Sequence, residues 1–256
     1  MTIRVLPAAP RVTIIVATYN AAPTLARCID SILGQTFAAW ELLIADGGSV
    51  DNTTAVISQH AAALAWWRSE ADQGIYDAWN HALAHARGEY VCFLGADDAW
   101  ASPRALADLF ATIGDREFDL VTSRGRMVDA DGRGRNVTGN AWDYHRLGRR
   151  MVVCHPGLLH RRSLFTQYGL FDIRYRIAGD LEFLLRLPPD IRTLHLESTT
   201  VLIEDGGVSR RQVLTRLREQ RDILRACKRY GPVRAYLAWA DKLWRYPLAR
   251  LLNIPH

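Results

Sequence analysis

The sequence predicts an α/β fold with a mostly parallel central sheet, helices on both faces of that sheet, and a helical tail at the C-terminal end. Short β-branched runs alternate with segments of helical periodicity through residues 12–94, and this alternation is typical of a parallel sheet that is covered on both sides. The chain has 256 residues, of which 49% are hydrophobic. It can therefore bury a large core, and it is not disordered, collagenous or a coiled coil.

The first unit is a strand followed directly by a helix. The run VTIIVA at residues 12–17 is rich in β-branched residues and predicts a buried strand. Pro23 suits the first turn of the next helix, and Gly34 is expected to end that helix in a left-handed conformation. A helix that returns the chain to the start of the next strand is the connection that parallel strands need.

The same unit then recurs twice. The predicted elements are, in order, a strand at 41–45, a helix ending near His60, a strand at 64–68, a helix at 75–86 and a strand at 90–94. Ser49 or Asp51 can cap the first of these helices, and Gly88 separates the second from the strand that follows it. The resulting order of strands and helices predicts four parallel strands.

The periodicity changes after residue 118. Two β-like runs within 118–140 flank the sequence Asp131-Gly132-Arg133-Gly134, which predicts an antiparallel hairpin added to the sheet. Helices are predicted near 163–168 and 180–186, and Pro188 closes the second. The Gly206-Gly207 pair is the expected boundary between a body at 1–206 and a tail at 207–256.

The tail differs from the body in charge. From Ser209 onward the chain has 12 Lys and Arg against 3 Asp and Glu, whereas the preceding residues have 20 against 24. Ser209 to Tyr230 predicts a basic amphipathic helix that Gly231 ends. Its aromatic and basic residues favour contact with anionic lipid at the cytoplasmic membrane surface. Packing against the body, or against a second copy of the chain, is the alternative.

Missing motifs exclude several classes of function. No stretch approaches the roughly 18 apolar residues of a membrane span, and no secretory signal is recognisable, so a cytoplasmic location is expected. The absence of GxGxxG, GxxxxGK[ST] and GxSxG argues against a Rossmann dehydrogenase, a P-loop enzyme and a serine hydrolase. The basic excess lies only in the tail, and the body lacks an aromatic stacking platform, so no nucleic acid partner is expected.

Polar residues follow each predicted parallel strand. In open parallel sheets ligands bind beyond the carboxyl ends of the strands, although Asp, Asn and Gly are also common turn residues there. The polar segments are Thr18-Tyr19-Asn20, Asp46-Gly47-Gly48-Ser49, Asp72-Gln73-Gly74 and Asp97-Asp98. We therefore expect the ligand at this edge of the sheet.

Asp97 and Asp98 form the strongest of these candidates. Adjacent carboxylates just beyond a buried strand repel each other unless a cation lies beside them, and a hard divalent ion is the usual one. Magnesium or manganese would keep positions for water and phosphate oxygens. The alternative role, a cap for the following helix, is already filled by Ser102. The pair is therefore predicted to hold a metal ion that contacts a nucleotide diphosphate.

Several motifs follow one another in order along residues 10–205. They are VTIIVATYN, ELLIADGGSVDNT, DQGIYDAWNHALAHARGEYVCFLGADDAWASP and RYRIAGDLEFLLR. This order resembles that of family 2 glycosyltransferases, which have the GT-A fold. The resemblance is closest to bacterial enzymes that build exopolysaccharide, capsule or lipid-linked sugar chains, such as those of the colanic acid pathway. It implies a nucleotide-diphosphate sugar as donor and a divalent cation, Mn²⁺ or Mg²⁺, as cofactor.

The resemblance also implies roles for the residues that follow the first three strands. The loop of Thr18, Tyr19 and Asn20 would line the nucleotide base. Asp46 would accept a hydrogen bond from the base, and Asp72 would face the nucleoside.

Asp97 and Asp98 match the family's DxD region, which binds the metal and the ribose. Asp98 is the preferred metal ligand. The chain departs from many relatives in carrying Gly95, where they have Asp or Asn, and this departure bears on the strength of metal binding.

Asp180 matches the family's catalytic base. An acceptor hydroxyl becomes a good nucleophile only as its proton is taken, and a base opposite the leaving diphosphate gives a single displacement with inversion. The alternatives are that Asp180 is a helix cap or that Glu182 is the base. Arg176 is expected to contact the diphosphate. His155 is a candidate contact for the acceptor or the diphosphate, or else a structural histidine.

Together these expectations describe an inverting, metal-dependent glycosyltransferase that acts on a lipid-linked saccharide in bacterial surface polysaccharide or glycolipid synthesis. The alternative is a non-catalytic relative that binds sugar nucleotides or serves as a membrane scaffold, with Gly95 as the first sign of lost activity. Asp98 and Asp180 are both present, and their presence argues against that alternative.

Overall fold

The computed structural model describes residues 7–129, 131–207, 212–227, 236 and 240. Nine strands in this part of the chain form one sheet. They are β1 Val12–Thr18, β2 Trp40–Asp46, β3 Trp66–Ser69, β4 Tyr90–Gly95, β5 Ala99–Trp100, β6 Leu120–Val128, β7 Gly134–Thr138, β8 Leu159–Arg161 and β9 Thr193–Glu204. The helices are α1 Ala22–Leu33, α2 Thr53–His60, α3 Ile75–Leu83, α4 Ala105–Ile113, α5 Tyr144–Leu147, α6 Ser163–Tyr168, α7 Gly179–Arg186 and α8 Val213–Ala226.

The sheet has a parallel half and a mixed half. Its order is β3-β2-β1-β4-β8-β6-β9-β5, with β7 paired to the free part of β6. The first four strands of this order are all parallel, as the sequence predicts. Beyond β4, only the β6/β9 pair is parallel, and the β4/β8, β6/β8, β5/β9 and β6/β7 pairs are antiparallel. The α/β class is confirmed, and the sheet is mixed over its second half.

Helices cover both faces of the sheet, and two buried clusters lie between helices and strands. Val12, Ile14 and Val16 of β1 pack with α1 and α4 on one face. Ile15 and Ala17 point to the opposite face and pack with α3, α6 and α7. This alternation follows from the two-residue repeat of a strand. It explains why β1 and β2 are continuous apolar runs, since both of their faces are buried.

Two of the predicted helix ends differ from the structure. Gly34 has φ −76°, not a left-handed conformation, because its N–H still donates to the carbonyl of Asp30 in the helical pattern, at 2.9 Å. Helix α3 ends at Leu83 and not near 86, because Ala86 makes a turn bond to the Leu83 carbonyl. At α2 the N-cap position is Asn52, so neither Ser49 nor Asp51 holds it. The Asp51 carboxylate, one residue earlier, accepts the N–H of Thr53 at 2.9 Å.

Helix α8 packs against the body. Leu217, Ile223 and Leu224 of this helix are buried, and the last two belong to the same cluster as α3 and α7. The packing alternative therefore holds for Val213–Ala226. The predicted ends of the tail helix, Ser209 and Tyr230 with Gly231, lie outside the described residues. None of the helices that the structure describes is long and apolar enough to cross a membrane.

Candidate active site

The ends of three parallel strands lie level with one another. Thr18 of β1 is opposite Asp46 of β2, and Ala17 of β1 is opposite Gly95 of β4. The loops that follow these strands therefore begin at the same edge of the sheet, as expected for a ligand site in an open parallel sheet. We call Thr18, Asp46, Gly95, Asp97 and Asp98 the strand-end cluster.

Asp46 organises the loops around it. Its carboxylate is buried and accepts hydrogen bonds from the N–H of Ser49 at 2.9 Å, the Ser49 hydroxyl at 2.5 Å and the Ser69 hydroxyl at 2.6 Å. The Ser49 hydroxyl in turn accepts the N–H of Asn20 at 2.8 Å. The first two loops are thus linked through one serine, and Asp46 is the residue on which this link depends.

The loop after β1 offers both a buried and an exposed group. Thr18 is buried, and its Oγ1 has no hydrogen-bond partner among the described residues. Tyr19 is 63% exposed. Asn20 has φ +49°, a left-handed conformation that Asn tolerates, and its Oδ1 accepts the N–H of Val50 at 3.0 Å. This turn places the Tyr19 ring in solvent, where it is free to cover a planar base.

Asp72 meets the second loop from the other side. A Cβ added at Gly47 would lie 2.8 Å from Asp72 Oδ2, so the glycine allows the carboxylate to approach the backbone. Asp72 Oδ1 accepts the N–H of Gly74 at 2.8 Å. Burial raises the pKa of Asp72, and the nearby carboxylates of Asp77 and Asp46 raise it further. The structure therefore brings the predicted nucleoside contacts Asp46 and Asp72 together.

Gly95 gives space to both carboxylates of the Asp97-Asp98 pair. A Cβ at this position would lie 2.6 Å from Asp97 Oδ1 and 2.9 Å from Asp98 Oδ2. Asp98 Oδ2 accepts the N–H of Gly95 at 2.8 Å. The two carboxylates can occupy these positions only because residue 95 is a glycine. Packing therefore explains Gly95 without any loss of activity.

Asp98 is a strongly perturbed acid. It is buried, and burial together with the carboxylate of Asp97 raises its pKa to about 8. A buried carboxylate in this condition is stabilised by a cation. No group of three potential metal-ligating side chains occurs within the described ranges. The two carboxylates fit a hard divalent ion that takes its other ligands from phosphate and water.

Arg27 borders the Asp97-Asp98 pair, although no pattern in the sequence indicates a role for it. Its Nη2 donates to the carbonyl of Asp97 at 2.7 Å and to the Glu204 carboxylate at 2.5 Å. Arg27 lies on the polar side of α1, and Glu204 ends β9, so the contact joins residues 177 positions apart. No local pattern indicates such a pair. Its effect is to fix the Asp97-Asp98 loop against both elements.

Asp180 lies at the start of α7, next to Tyr76 of α3. Its Oδ1 accepts the N–H of Leu181 at 2.7 Å and faces the Tyr76 hydroxyl at 3.2 Å, which also donates to the carbonyl of Ile177 at 2.9 Å. The approach depends on Gly179, because a Cβ there would lie 2.9 Å from the Tyr76 ring. Burial raises the pKa of Asp180 to about 6, against the lowering effect of these hydrogen bonds.

A cavity of about 220 Å³ opens beside Asp180. Its lining residues are Thr138, Met151, Val153, Cys154, His155, Pro156, Ile177, Ala178, Asp180, Leu181, Ile203, Arg216 and Gln220. We call this space the Asp180 cavity. The last two lining residues come from α8, so the C-terminal helix forms one wall. An acceptor entering here would meet a mostly apolar surface with one carboxylate.

One wall residue of the Asp180 cavity lies near the strand-end cluster. Cys154 lines the cavity, and the Asp98 carboxylate is close enough to raise the pKa of its thiol further above its ordinary value, beyond the larger effect of burial. Neither Asp97 nor Asp98 is among the residues that line the cavity. That the predicted metal ligands and the predicted base serve one reaction stays a prediction.

His155, Arg176 and Glu182 have different surroundings. His155 is buried, stacks on Trp79, and burial lowers its pKa to about 4, so it is neutral at physiological pH. The Arg176 side chain is exposed. Glu182 forms an ion pair with Arg186 at 3.1 Å, one turn along α7. A paired carboxylate is less available for proton transfer, so the geometry favours Asp180 over Glu182 as the base.

Comparisons of the sequence with known proteins point to one family. A family model described as glycosyl transferase family 2 matches residues 13–169. A PGL/p-HBAD biosynthesis glycosyltransferase of Mycobacterium bovis is 38% identical over 183 residues, which cover 70% of this chain and 70% of that protein. The putative glycosyltransferase EpsE of Bacillus subtilis is 27% identical over 260 aligned residues, covering 96% of this chain and 93% of EpsE.

Solved structures with the same fold include two complexes with nucleotide sugars. The mannosyltransferase PcManGT of Pyrobaculum calidifontis, in complex with GDP-Man and Mn²⁺, has a TM-score of 0.66 at 21% identity over 95% of this chain and 74% of that one. S. aureus TarS 1–349, in complex with UDP-GlcNAc, has a TM-score of 0.66 at 19% identity over 91% of this chain and 71% of that one. At these identities the likeness establishes the fold, which is GT-A.

Proposed function

The chain belongs to glycosyl transferase family 2, and from this premise we propose that it is an inverting, metal-dependent glycosyltransferase. It moves a sugar from a nucleotide-diphosphate donor to a hydroxyl of a lipid-linked saccharide in bacterial surface polysaccharide or glycolipid synthesis. The observation that carries the proposal is the Asp180 carboxyl, which lines a cavity and whose pKa burial raises to about 6. The mycobacterial and Bacillus relatives are named as glycosyltransferases, which supports the same class of reaction.

The donor nucleotide binds at the strand-end cluster. The exposed Tyr19 ring covers the base, and the unpartnered Oγ1 of Thr18 offers it a hydrogen bond. Asn20, Asp46 and Asp72 hold the surrounding loops in place through the contacts described above. The exposed guanidinium of Arg176 reaches the diphosphate from the loop before α7, because a planar guanidinium pairs well with phosphate oxygens.

Asp180 takes the proton from the attacking acceptor hydroxyl. A base is most efficient when its pKa lies near the working pH, and a pKa of about 6 leaves this carboxyl mostly ionised at neutral pH. The hydroxyl of Tyr76 and the N–H of Leu181 hold Oδ1 in position. The acceptor oxygen bonds to the anomeric carbon as the bond to the diphosphate breaks, so the configuration is inverted.

Asp98 and Asp97 are the residues that would hold the divalent cation. When bound, Mn²⁺ or Mg²⁺ neutralises the charge that develops on the leaving diphosphate. Asp98 is the preferred ligand because it is buried, and burial together with the carboxylate of Asp97 raises its pKa to about 8. Arg27 supports the loop from outside through the Asp97 carbonyl.

The acceptor enters through the Asp180 cavity. Met151, Val153 and Ile177 give this space an apolar lining, which suits an acceptor with an apolar portion beside its reacting hydroxyl. His155 remains neutral and forms part of the wall. The excess of basic residues after Ser209 would keep the enzyme at anionic lipid on the cytoplasmic face of the membrane, where a lipid-linked acceptor is available.

A donor screen tests the proposed function. The purified chain is incubated with UDP-, GDP- and dTDP-sugars with and without Mn²⁺, and thermal shift and donor hydrolysis are measured. We expect one nucleotide class to raise the midpoint of unfolding only when Mn²⁺ is present, and hydrolysis that Asp180→Asn removes. Nucleotide binding without any hydrolysis or transfer would instead support the non-catalytic alternative. Absence of binding to every nucleotide sugar would contradict both.

A further inference from the structure

Helix α8 contacts the loop before Asp180 through one carboxylate. Glu219 accepts hydrogen bonds from the backbone N–H groups of Arg176, Ile177 and Ala178, at 2.8, 2.9 and 2.8 Å. Three successive peptide N–H groups around one anion form a nest, and hydrogen bonds to an ionised acceptor are about twice as strong as neutral ones. The segment that ends at the start of α7 is therefore fixed by a residue more than 40 positions away.

The loop has few other means of keeping this shape. Helix α7 begins at Gly179, and its capping position is Ala178, which has no side chain that can accept a hydrogen bond. The N-terminal end of a helix carries partial positive charge and favours a nearby anion. Glu219 supplies that anion from outside the helix. Its own backbone is fixed because Leu217 and Ile223 on the same helix are buried.

Glu219 also contributes to the electrostatic surroundings of Asp180. The groups that face this carboxyl are the Tyr76 hydroxyl from α3, Glu219 from α8, and the cavity-lining His155 and Arg216. Burial is the main cause of the raised pKa of Asp180, and the negative charge of Glu219 raises it further. Glu219 thus affects both the position of the proposed base, Asp180, and its pKa.

We propose that Glu219 is a positioning residue for catalysis: it holds residues 176–178 in the conformation that aims Asp180 into the cavity. The proposal rests on the proposed function, since it adds a residue to the same reaction. It also gives the C-terminal helix a role that a body ending at residue 206 would lack.

Amide hydrogen exchange tests the positioning of the loop. In Glu219→Ala, exchange at residues 176–178 should accelerate by about tenfold or more, because three backbone N–H groups lose their acceptor. Glu219→Gln retains one acceptor oxygen and should give a smaller increase. The matched control is Asp222→Ala on the same helix, since Asp222 pairs with its neighbour Arg221 and not with the loop. Exchange in Glu219→Ala equal to that of the wild type would overturn the proposal.

The protonation of Asp180 provides a readout that a purely structural role would not move. The carboxyl carbon of Asp180, assigned by its loss in Asp180→Asn, is titrated by NMR in the wild type and in Glu219→Gln. The pKa should fall in the variant because a neighbouring negative charge has been removed. An unchanged pKa would count against the coupling between Glu219 and the base.

Turnover completes the test. With a donor identified by the screen, Glu219→Ala should lower kcat by about tenfold and raise the donor KM, because the released loop carries Arg176, whereas Asp222→Ala should leave kcat unchanged. An unchanged kcat in Glu219→Ala would overturn the positioning role. The exchange and titration experiments need no substrate, so their failure counts against Glu219 alone, and failure of the donor screen counts against the proposed function.

Discussion

Asp46 in the strand-end cluster and Asp180 beside the cavity are both acids at the ends of regular elements, but their carboxylates are surrounded differently. Asp46 accepts three hydrogen bonds from two serines. Asp180 accepts one peptide N–H and shares a tyrosine hydroxyl with a carbonyl oxygen. A carboxylate that accepts several hydrogen bonds holds loops together, and one that is half-buried with fewer hydrogen bonds keeps a raised pKa and can accept a proton.

The same contrast extends to the surrounding regions. The strand-end side is assembled from loops that follow successive parallel strands, and glycines at positions 47 and 95 let the carboxylates pack against the backbone. The cavity side is assembled from distant parts of the chain, since Tyr76 reaches Asp180 across 104 positions. We infer that the first region serves mainly to bind the donor and the second to carry out the chemistry.

The largest expected effect is that of Asp180→Asn on turnover. The amide cannot accept the acceptor's proton, so kcat should fall by about 10³-fold, while nucleotide affinity measured by calorimetry stays within about twofold. The matched control is Glu182→Gln, two positions along α7, which should retain most of the activity because its ion pair with Arg186 lies outside the reaction. Full turnover in Asp180→Asn would show that the base has been assigned wrongly.

Asp98→Ala should act on donor binding. Removal of the preferred metal ligand should weaken Mn²⁺-dependent nucleotide binding by about tenfold or more, and metal-independent binding should change little. Asp108→Asn removes one negative charge from an exposed position of α4 and serves as the charge-matched control. The metal assignment fails if Mn²⁺ increases the nucleotide affinity of Asp98→Ala as much as that of the wild type.

Substitution of Asp46 and of Asp180 should change the free energy of unfolding in opposite directions. Asp46→Ala leaves two half-buried serine hydroxyls and a peptide N–H without their acceptor, so the free energy of unfolding should fall by about 2 kcal/mol. Asp180 binds its proton more tightly in the folded chain than in the unfolded chain, so stability falls as the pH rises from about 3.8 to about 6, and the full cost is present above about pH 6. Asp180→Asn removes this cost and should raise the free energy of unfolding by about 1 kcal/mol at pH 7.5. Urea unfolding measures both, and equal losses would contradict the contrast between the two carboxylates.

Tyr76→Phe should have the smallest effect of these substitutions. Loss of the hydroxyl removes one hydrogen bond that lowers the pKa of Asp180, so the pKa should rise and kcat/KM at pH 7 should fall by about twofold. The aromatic packing of the ring on Trp79 and Phe171 remains. Activity equal to that of the wild type, with an unchanged pH profile, would show that the hydroxyl does not act on the base.

The strand-end side could be predicted from the sequence because its signals are local. The strands β1, β2 and β4 are apolar runs with polar residues at their ends, and parallel pairing then brings those ends together. The order of the motifs adds Asp180. Strands β5, β8 and β9 could not be predicted, for physical reasons. Strands β5 and β8 have only two and three residues, and β9 is partly exposed with polar residues along it.

The long-range contacts on both sides could not be predicted because they join residues far apart in the chain. Nothing in the sequence near Arg27 or Glu219 indicates that they contact Asp97 and residues 176–178. The amphipathic pattern of α8 correctly predicts a helix with one apolar face. It does not distinguish a face that binds lipid from one that packs on the body, because both require the same spacing of leucines.

The pH dependence of kcat/KM between pH 5 and 8 tests the central claim most directly. If Asp180 is the base, activity rises with pH through a midpoint near 6, where the carboxyl loses its proton, and is level above pH 7. The kcat/KM is that of the acceptor, measured with donor and Mn²⁺ at saturating concentrations. Binding measurements at each pH confirm the saturation, so the pH profile reports the ionisation of the base. A midpoint near 4, or a rate that does not depend on pH across this range, would contradict the assignment of Asp180 as a buried base.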